Sequence, residues 1–422
     1  MKNIYLIVVG LILSSALLAQ TPTTTQNYIM ETVLRDSGKT TTASLVGLSV
    51  AQANRMIHYK DGLGRPLQTV NWQASPTLKD IVQPYVYDAL GRETKKLLPY
   101  AEQTSDNGSY KSSWQTNQAN YYSSGSSWDA NIAKTPYPFS QSVIEPSPLN
   151  RVVDQGFAGA VWQPFNGAIS GSGHTQKTNY GSNVTNEVRL WTVSTTSASS
   201  SGFYPAHTLY KTVQKDENWV SGKTGTQETF MDQFERVILK RAWLDESNSA
   251  DTYYLYDYAG QLRYVLPPGF TLTSFTESDT QFIELAYAYH YDTKQRLIEK
   301  KIPGKAWEHL VYNRLDRLVL TQDGNQRNNN QWTYYKYDAL DRIVLKGTYS
   351  SSSNRSTLQS TLSSSSLPMW EERNNSTTTG YTNNAFPTSN ILNTLIAQFY
   401  DNYDVLGLAS SYAPVGAVTA KP

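Results

Sequence analysis

Short runs of alternating apolar and polar residues, broken by turn formers, fill most of this chain, and the clearest of them read as two-stranded hairpins. Tyr85, Val86 and Tyr87 lead into Asp88, and Gly91 and Arg92 open a second run that ends at Pro99. An aspartate opening a turn accepts a hydrogen bond from the backbone two residues on. A glycine three residues later enters the left-handed region without a Cβ clash, as hairpin loops built on a type I turn require. Tyrosine, valine and threonine suit a pleated, half-buried surface.

The frame recurs, aligned on its acidic residue. Its copies are Tyr59, Asp61, Gly64 and Arg65; Phe230, Asp232, Glu235 and Arg236; and Tyr256, Asp257, Gly260 and Gln261. Then come Tyr291, Asp292, Gln295 and Arg296; Tyr312, Asn313, Asp316 and Arg317; Tyr337, Asp338, Asp341 and Arg342; and a worn copy at Tyr403, Asp404, Gly407 and Leu408. Self-similarity at roughly 20–50 residues marks a stacked array. Steps of 35, 21 and 25 residues from Asp257 to Asp338 make the period irregular, so insertions between units are tolerated. Glu235 and Gln295 tolerate a left-handed backbone poorly, which predicts another turn type there. Asp316 and Asp341 visit that region more readily. Stacking would align the arginines in a row, each pairing with a turn aspartate or lying over a tyrosine face at roughly 0.5–2 kcal/mol. Gln261 and Leu408 break that row.

The fold class predicted is all-β: tandem hairpins forming an extended, curved sheet or solenoid-like shell, preceded by a β-rich N-terminal domain. Residues 1–19 read as a signal peptide and 20–44 as a linker or loosely attached first strand. Residues 45–193 form the N-terminal domain with the first two hairpins, 194–204 a Ser/Thr-rich linker, and 205–422 the repeat array, incomplete and without an evident C-terminal cap. Short helices are expected within 103–127 and 355–367, the first on the surface. Pro136, Pro138, Pro146 and Pro148 exclude a helix between them.

Composition fits this pattern. Thirty tyrosines and ten tryptophans dominate the apolar side, suiting sheet faces neither fully dry nor fully wet. The apolar run ending near Leu18 is too short to span a bilayer and reads as a Sec signal, placing the protein outside the cell or at its surface. No later segment is long enough to cross a membrane. The absence of cysteine excludes a lipobox, disulfides, thiol catalysis and zinc–thiolate sites. A net charge of +1 gives no bias toward nucleic acid or anionic lipid.

Site motifs fall short of chemistry. Gly222, Lys223 and Thr224 end like a phosphate-binding loop, but Glu217 occupies the place of its first glycine. Ser172 lacks a nucleophile elbow. His58, His174, His207, His290 and His309 never fall at metal-ligand spacing, and residues 401–404 do not match a calcium loop. The repeat carboxylates have backbone duties in their turns, which outweigh an acid/base role. No enzyme activity, cofactor or metal is expected. Trp72, Trp162, Trp219 and Trp243 are candidates for stacking on glycans, each equally suited to a core.

The Tyr-Asp-x-x-Gly-Arg frame resembles the YD repeat of the bacterial Rhs family. Residues 54–189 also resemble the domain of unknown function that opens many secreted YD-repeat proteins, through Asp61 to Val70, Lys79 to Val82, Leu98 to Tyr100 and Glu145 to Arg151. The resemblance implies sheets that spiral into a hollow shell around a C-terminal cargo, often a toxin, absent from this chain. The expected partner is the remainder of a longer Rhs-type polypeptide or a split-gene chain. The alternatives are a surface adhesion or carbohydrate-binding module and, third, a polysaccharide hydrolase.

Overall fold

A computed structural model describes residues 22–35, 41–45 and 47–400. The expected signal segment and the copy at Tyr403, Asp404, Gly407 and Leu408 lie outside these residues. The protein is all-β, built on antiparallel sheets. The described residues divide into two compact units that interleave in sequence: those up to 181, 212–228 and 243–248 make the first, and 182–211, 229–242 and 249–400 the second.

In the first unit, β1 (Asn27–Leu34), β2 (Ala53–Lys60), β3 (Pro66–Asn71) and β4 (Ile81–Pro84) pair in order. After β5 (Lys95–Leu97), β6 (Tyr100–Ala101) completes this five-stranded sheet beside β4. The period of two is plain in β2, where Ala53, Arg55, Ile57 and Tyr59 are buried and the residues between them half-buried. The segment at 20–44, expected as a linker or a loosely attached first strand, contains β1, paired along its length with β2. Helix α1 (Trp114–Tyr122) falls where a surface helix is expected, yet Gln118, Tyr121 and Tyr122 are buried. The two tyrosines join Ile57, Tyr59, Val70, Val82 and Tyr100 in the core. Strand β5 instead pairs with β7 (Phe139–Ile144), followed by β8 (Val152–Gln155) and β9 (Gln176–Ser182).

The second unit carries β10 (Arg189–Val193) and β11 (Ser197–Phe203). The Ser/Thr run expected as a linker is thus largely β11, held by ladder bonds to β10 on one side and to residues 274–276 on the other. Next in the chain are β12 (Tyr210–Lys215) and β13 (Gln227–Met231), whose residues fall partly in the first unit, then β14 (Val237–Trp243), β15 (Ser249–Tyr256) and β16 (Leu262–Leu266). β17 (Ser274–Thr276) adds to β11, and α2 (Thr280–Leu285) follows. Then β18 (Tyr287–Tyr291), β19 (Leu297–Lys301), β20 (Glu308–Tyr312), β21 (Leu318–Gln322), α3 (Gly324–Asn328), β22 (Gln331–Tyr337), β23 (Ile343–Ser350), α4 (Arg355–Ser364) and β24 (Ile391–Ala397) complete the chain order.

From β15 to β24 the strands of the array, β17 apart, lie side by side in chain order, each hairpin pairing with the next. Every hairpin in this run bulges two residues after the end of its turn, at Arg263, Ile298, Val319 and Val344. A bulge bends its strand and increases the local twist. Aromatic and aliphatic cores lie against this run, one around Tyr264, Phe275 and Phe282, another around Leu320, Trp332 and Tyr334.

Candidate functional site

The hairpin tips share one geometry. At Asp88, Oδ1 accepts the backbone N–H groups of Leu90 and Arg92, both at 2.9 Å, while Oδ2 accepts from Arg92 Nε at 2.8 Å. The backbone closes the loop twice, from Asp88 N to Arg92 O and from Gly91 N to Asp88 O. The arrangement repeats at Asp61, Asp232, Asp292 and Asp338 with their own arginines. Asp257 and Asn313 keep the two backbone acceptor bonds. The Arg92 backbone N–H and then its guanidinium hold the Asp88 carboxyl below its ordinary range.

Glu235 and Gln295 do not use another turn. Their φ values of 62° and 64° match Asp316 at 59° and Asp341 at 67°, and all sit in the left-handed region with Gly64, Gly91 and Gly260. A left-handed non-glycine residue costs about 1–2 kcal/mol. The two backbone closures and the aspartate acceptors together overdetermine the loop and outweigh that cost.

Each arginine also reaches the next hairpin. Arg65 lies 4.6 Å from the centre of the Tyr87 ring, Arg236 4.9 Å from Tyr256, Arg296 4.9 Å from Tyr312 and Arg317 5.7 Å from Tyr337. The covered tyrosine then donates its hydroxyl to the carbonyl of the residue after that arginine: Tyr87 to Pro66, Tyr256 to Val237, Tyr312 to Leu297 and Tyr337 to Leu318, at 2.6–3.0 Å. Burial pushes the phenols of Tyr256, Tyr312 and Tyr337 upward. The guanidinium tip meets the left-handed residue of the next turn, so Arg296 bonds Asp316 at 2.7 Å and Arg317 pairs with Asp341. Where that residue is Gly91 or Gly260, no pair forms and the backbone is unstrained.

Two copies contribute differently from their expected alignment. Tyr59 and Phe230 stand two residues before the acid rather than one, so strand alternation turns them to the opposite, buried face. Tyr59 donates to the carbonyl of Gly108 inside the first core. Tyr291 is correctly placed, but Gln261 in the preceding copy supplies no guanidinium.

The sequence reading missed two rungs. Glu145 N bonds Arg151 O, the Glu145 carboxylate takes Arg151 Nε and an η nitrogen at 2.8 Å, and Asn150 is left-handed at φ 52°. Hydrogen bonds from Arg151 and then Ser147 lower the Glu145 pKa to about 2. Arg151 covers Tyr180 at 4.0 Å, whose hydroxyl donates to Val152 O. Farther on, Arg342 lies 4.5 Å from Tyr400, which donates to Ile343 O. The spacing of Glu145 and Arg151 is two residues longer than the frame, which hid it; the surviving signal is Asn before Arg.

The remaining candidates are dispersed. Trp72 is only 6 % exposed and donates Nε1 to Asp106 O, so it belongs to the core and offers no stacking face. Trp162 is exposed beside His174, while Trp219 and Trp243 lie under Lys215 and Lys223. The loop at Lys223 and Thr224 turns its N–H groups onto the Glu246 carboxylate, filling with protein the place a phosphate would take. Ser172 bonds within its own loop, to Asn166. His290 bridges Glu277 and Glu299 at 2.8 Å each and stacks on Trp307. Glu299 also faces His309 and Arg355.

Residues 32–180 match the family model described as a domain of unknown function (DUF6443). The match names that domain and not the repeats. No curated protein matches the chain. Among solved structures it is similar to TcdB2-TccC3-TEV, with 14% identity over 78% of this chain and a TM-score of 0.48. It is similar also to TcdB2-TccC3 without its hypervariable C-terminal region, with 13% identity over 76% of the chain and a TM-score of 0.47. The chain spans about 14% and 13% of the lengths of those two chains.

Proposed function

We propose that this chain is a structural, non-enzymatic protein, a stretch of Rhs-type shell wall that encloses or presents a polypeptide lying outside it. The observation that carries this reading is the clamp repeated from hairpin to hairpin. An arginine tied to its own turn covers the tyrosine of the next unit, and that tyrosine bonds back to the strand it came from. Such a device adds units without needing a deep aliphatic core. Bulges at the same place in successive hairpins bend each strand alike, which suits a curving wall.

The remainder of a longer Rhs-type polypeptide, or a second chain, is the partner this reading calls for. Export through the segment at residues 1–19 belongs to the same proposal. No helix among the described residues is long and apolar enough to cross a membrane. Electron microscopy of the natural full-length gene product tests the proposal. A hollow, curved wall around protein density supports it. A compact particle with no enclosed space overturns it.

A further inference from the structure

The hairpin tipped by Asp88 forks. Its arms touch at one bridge, Val86 to Lys95, after which β4 stays in the five-stranded sheet and β5 leaves to pair with β7. Helix α1 packs beneath the fork: Gln118 donates to Leu98 O, and Tyr122 to Pro99 O. The parted arms and the helix enclose an open cleft of about 830 Å³, within the range of small-ligand sites.

The lining has a definite chemistry. Trp114, Pro136 and Pro138 border it, together with Tyr87 and Phe139, each of which has one ring face covered, by Arg65 and by Lys95. Trp114 is half-buried against the core and still borders the cleft. Two charged groups of the lining are engaged within the protein, and the third, Lys95, is exposed over a ring. Asp88 is held by Arg92, Lys134 donates to the carbonyls of Tyr121, Trp128 and Asp129, and Lys95 sits 4.7 Å from the centre of the Phe139 ring. Besides Lys95, the exposed polar groups of the lining are neutral: Gln115, Ser123 and Ser124.

We propose that this cleft binds a neutral oligosaccharide. Sugar rings present apolar C–H faces that pack on aromatic rings and hydroxyls that pair with amides and hydroxyls, the groups that most of this lining offers. The tryptophans singled out by sequence are not part of this site. The inference concerns the first unit alone and stands whether or not the array forms a shell.

The test is titration of the full chain with neutral cello-, xylo- and chito-oligosaccharides, read by calorimetry and tryptophan fluorescence, with polygalacturonate and a proline-rich peptide as contrasts. Saturable binding of one neutral sugar is expected, weakened at least about tenfold by Trp114→Ala and by Ala119→Trp. Ala119 is an exposed position of α1 on the cleft wall, so its replacement blocks the space without emptying the core. An unchanged thermal melt of that variant separates blockage from misfolding. Silence toward all the neutral sugars, binding that survives Ala119→Trp, or preference for the polyanion or the peptide overturns the proposal.

Discussion

Arg65 lies over the ring of Tyr87, and the Tyr87 hydroxyl donates to the carbonyl of Pro66, the residue that follows that arginine. One side chain is thus held twice by the preceding hairpin, through its π face and through its polar tip. Neither bond depends on the sheet ladder, so each rung adds to register as well as to stability. At the equivalent pair Arg236 and Tyr256, a double-mutant cycle with Arg236→Met and Tyr256→Leu should give a coupling energy of roughly 0.5–1.5 kcal/mol. Strict additivity of the two losses would show that the rung is geometric coincidence.

The turn acid does two jobs that substitution can separate. Asp232→Asn keeps an oxygen for the N–H groups of Phe234 and Arg236 while giving up the charged pair with Arg236 Nε, as Asn313 does naturally. Asp232→Ala loses both. Urea unfolding should rank alanine well below asparagine, with costs of about 2–3 and about 1 kcal/mol. Equal costs would mean that the backbone bonds contribute nothing.

The row breaks at Gln261, and the break invites repair. An arginine there would have Asp257 in its own turn and Tyr291 in front of it. Gln261→Arg is expected to raise stability by about 0.5–1 kcal/mol, a rise of a few degrees or less in Tm for a chain of this size. A lower Tm would deny that the frame is transferable between copies.

Much of this was legible because it is local. The acid, the left-handed residue and the arginine fall within five residues, so their bonds follow from the sequence frame. The arginine row was readable for the same reason, but its target was not: which tyrosine lies under Arg342 depends on α4 and a long loop between β23 and β24. Face assignment failed at Tyr59 and Phe230 because a shift of one residue reverses a strand's side. The buried pair of Lys336 and Glu371, 2.7 Å apart, joins residues separated by a long insertion and left no trace in spacing. Helix α1 was visible only as near-helical aromatic spacing, with no sign that Tyr121 and Tyr122 would be buried. The cleft at the fork was invisible, since sequence alone does not say that two arms of one hairpin part company.

The left-handed position divides into two kinds. Glu235 holds φ 62° although a left-handed backbone disfavours its side chain. Glycine there should stabilise the protein by about 0.5–1 kcal/mol. At Asp341 the same replacement also removes the pair with Arg317, so its effect should be smaller or reversed. Thermal melts of Glu235→Gly and Asp341→Gly provide the comparison. Identical shifts would dismiss the role given to the second residue.

The histidines of the second unit set opposing pH dependences. Burial works against a charge on His290, but the hydrogen bonds it donates to Glu277 and Glu299 outweigh it and hold its pKa above the ordinary value. Burial, then the Arg327 charge, pushes His309 down to about 4. Above pH ~6.5 the unfolded chain has lost the proton that native His290 retains, so stability falls as pH rises through the raised value. Below that pH the unfolded chain protonates the histidine that native His309 leaves neutral, so stability falls again toward pH ~4, by roughly 3 kcal/mol at most. The unfolding free energy should therefore peak near pH ~6.5. His290→Gln should flatten the alkaline limb and spare the acid one, and His309→Gln should do the reverse. Chemical denaturation across this range decides it: a wild-type profile without a maximum, or limbs that do not respond separately, would mean that the Glu277, His290 and Glu299 bridge carries no charge in solution.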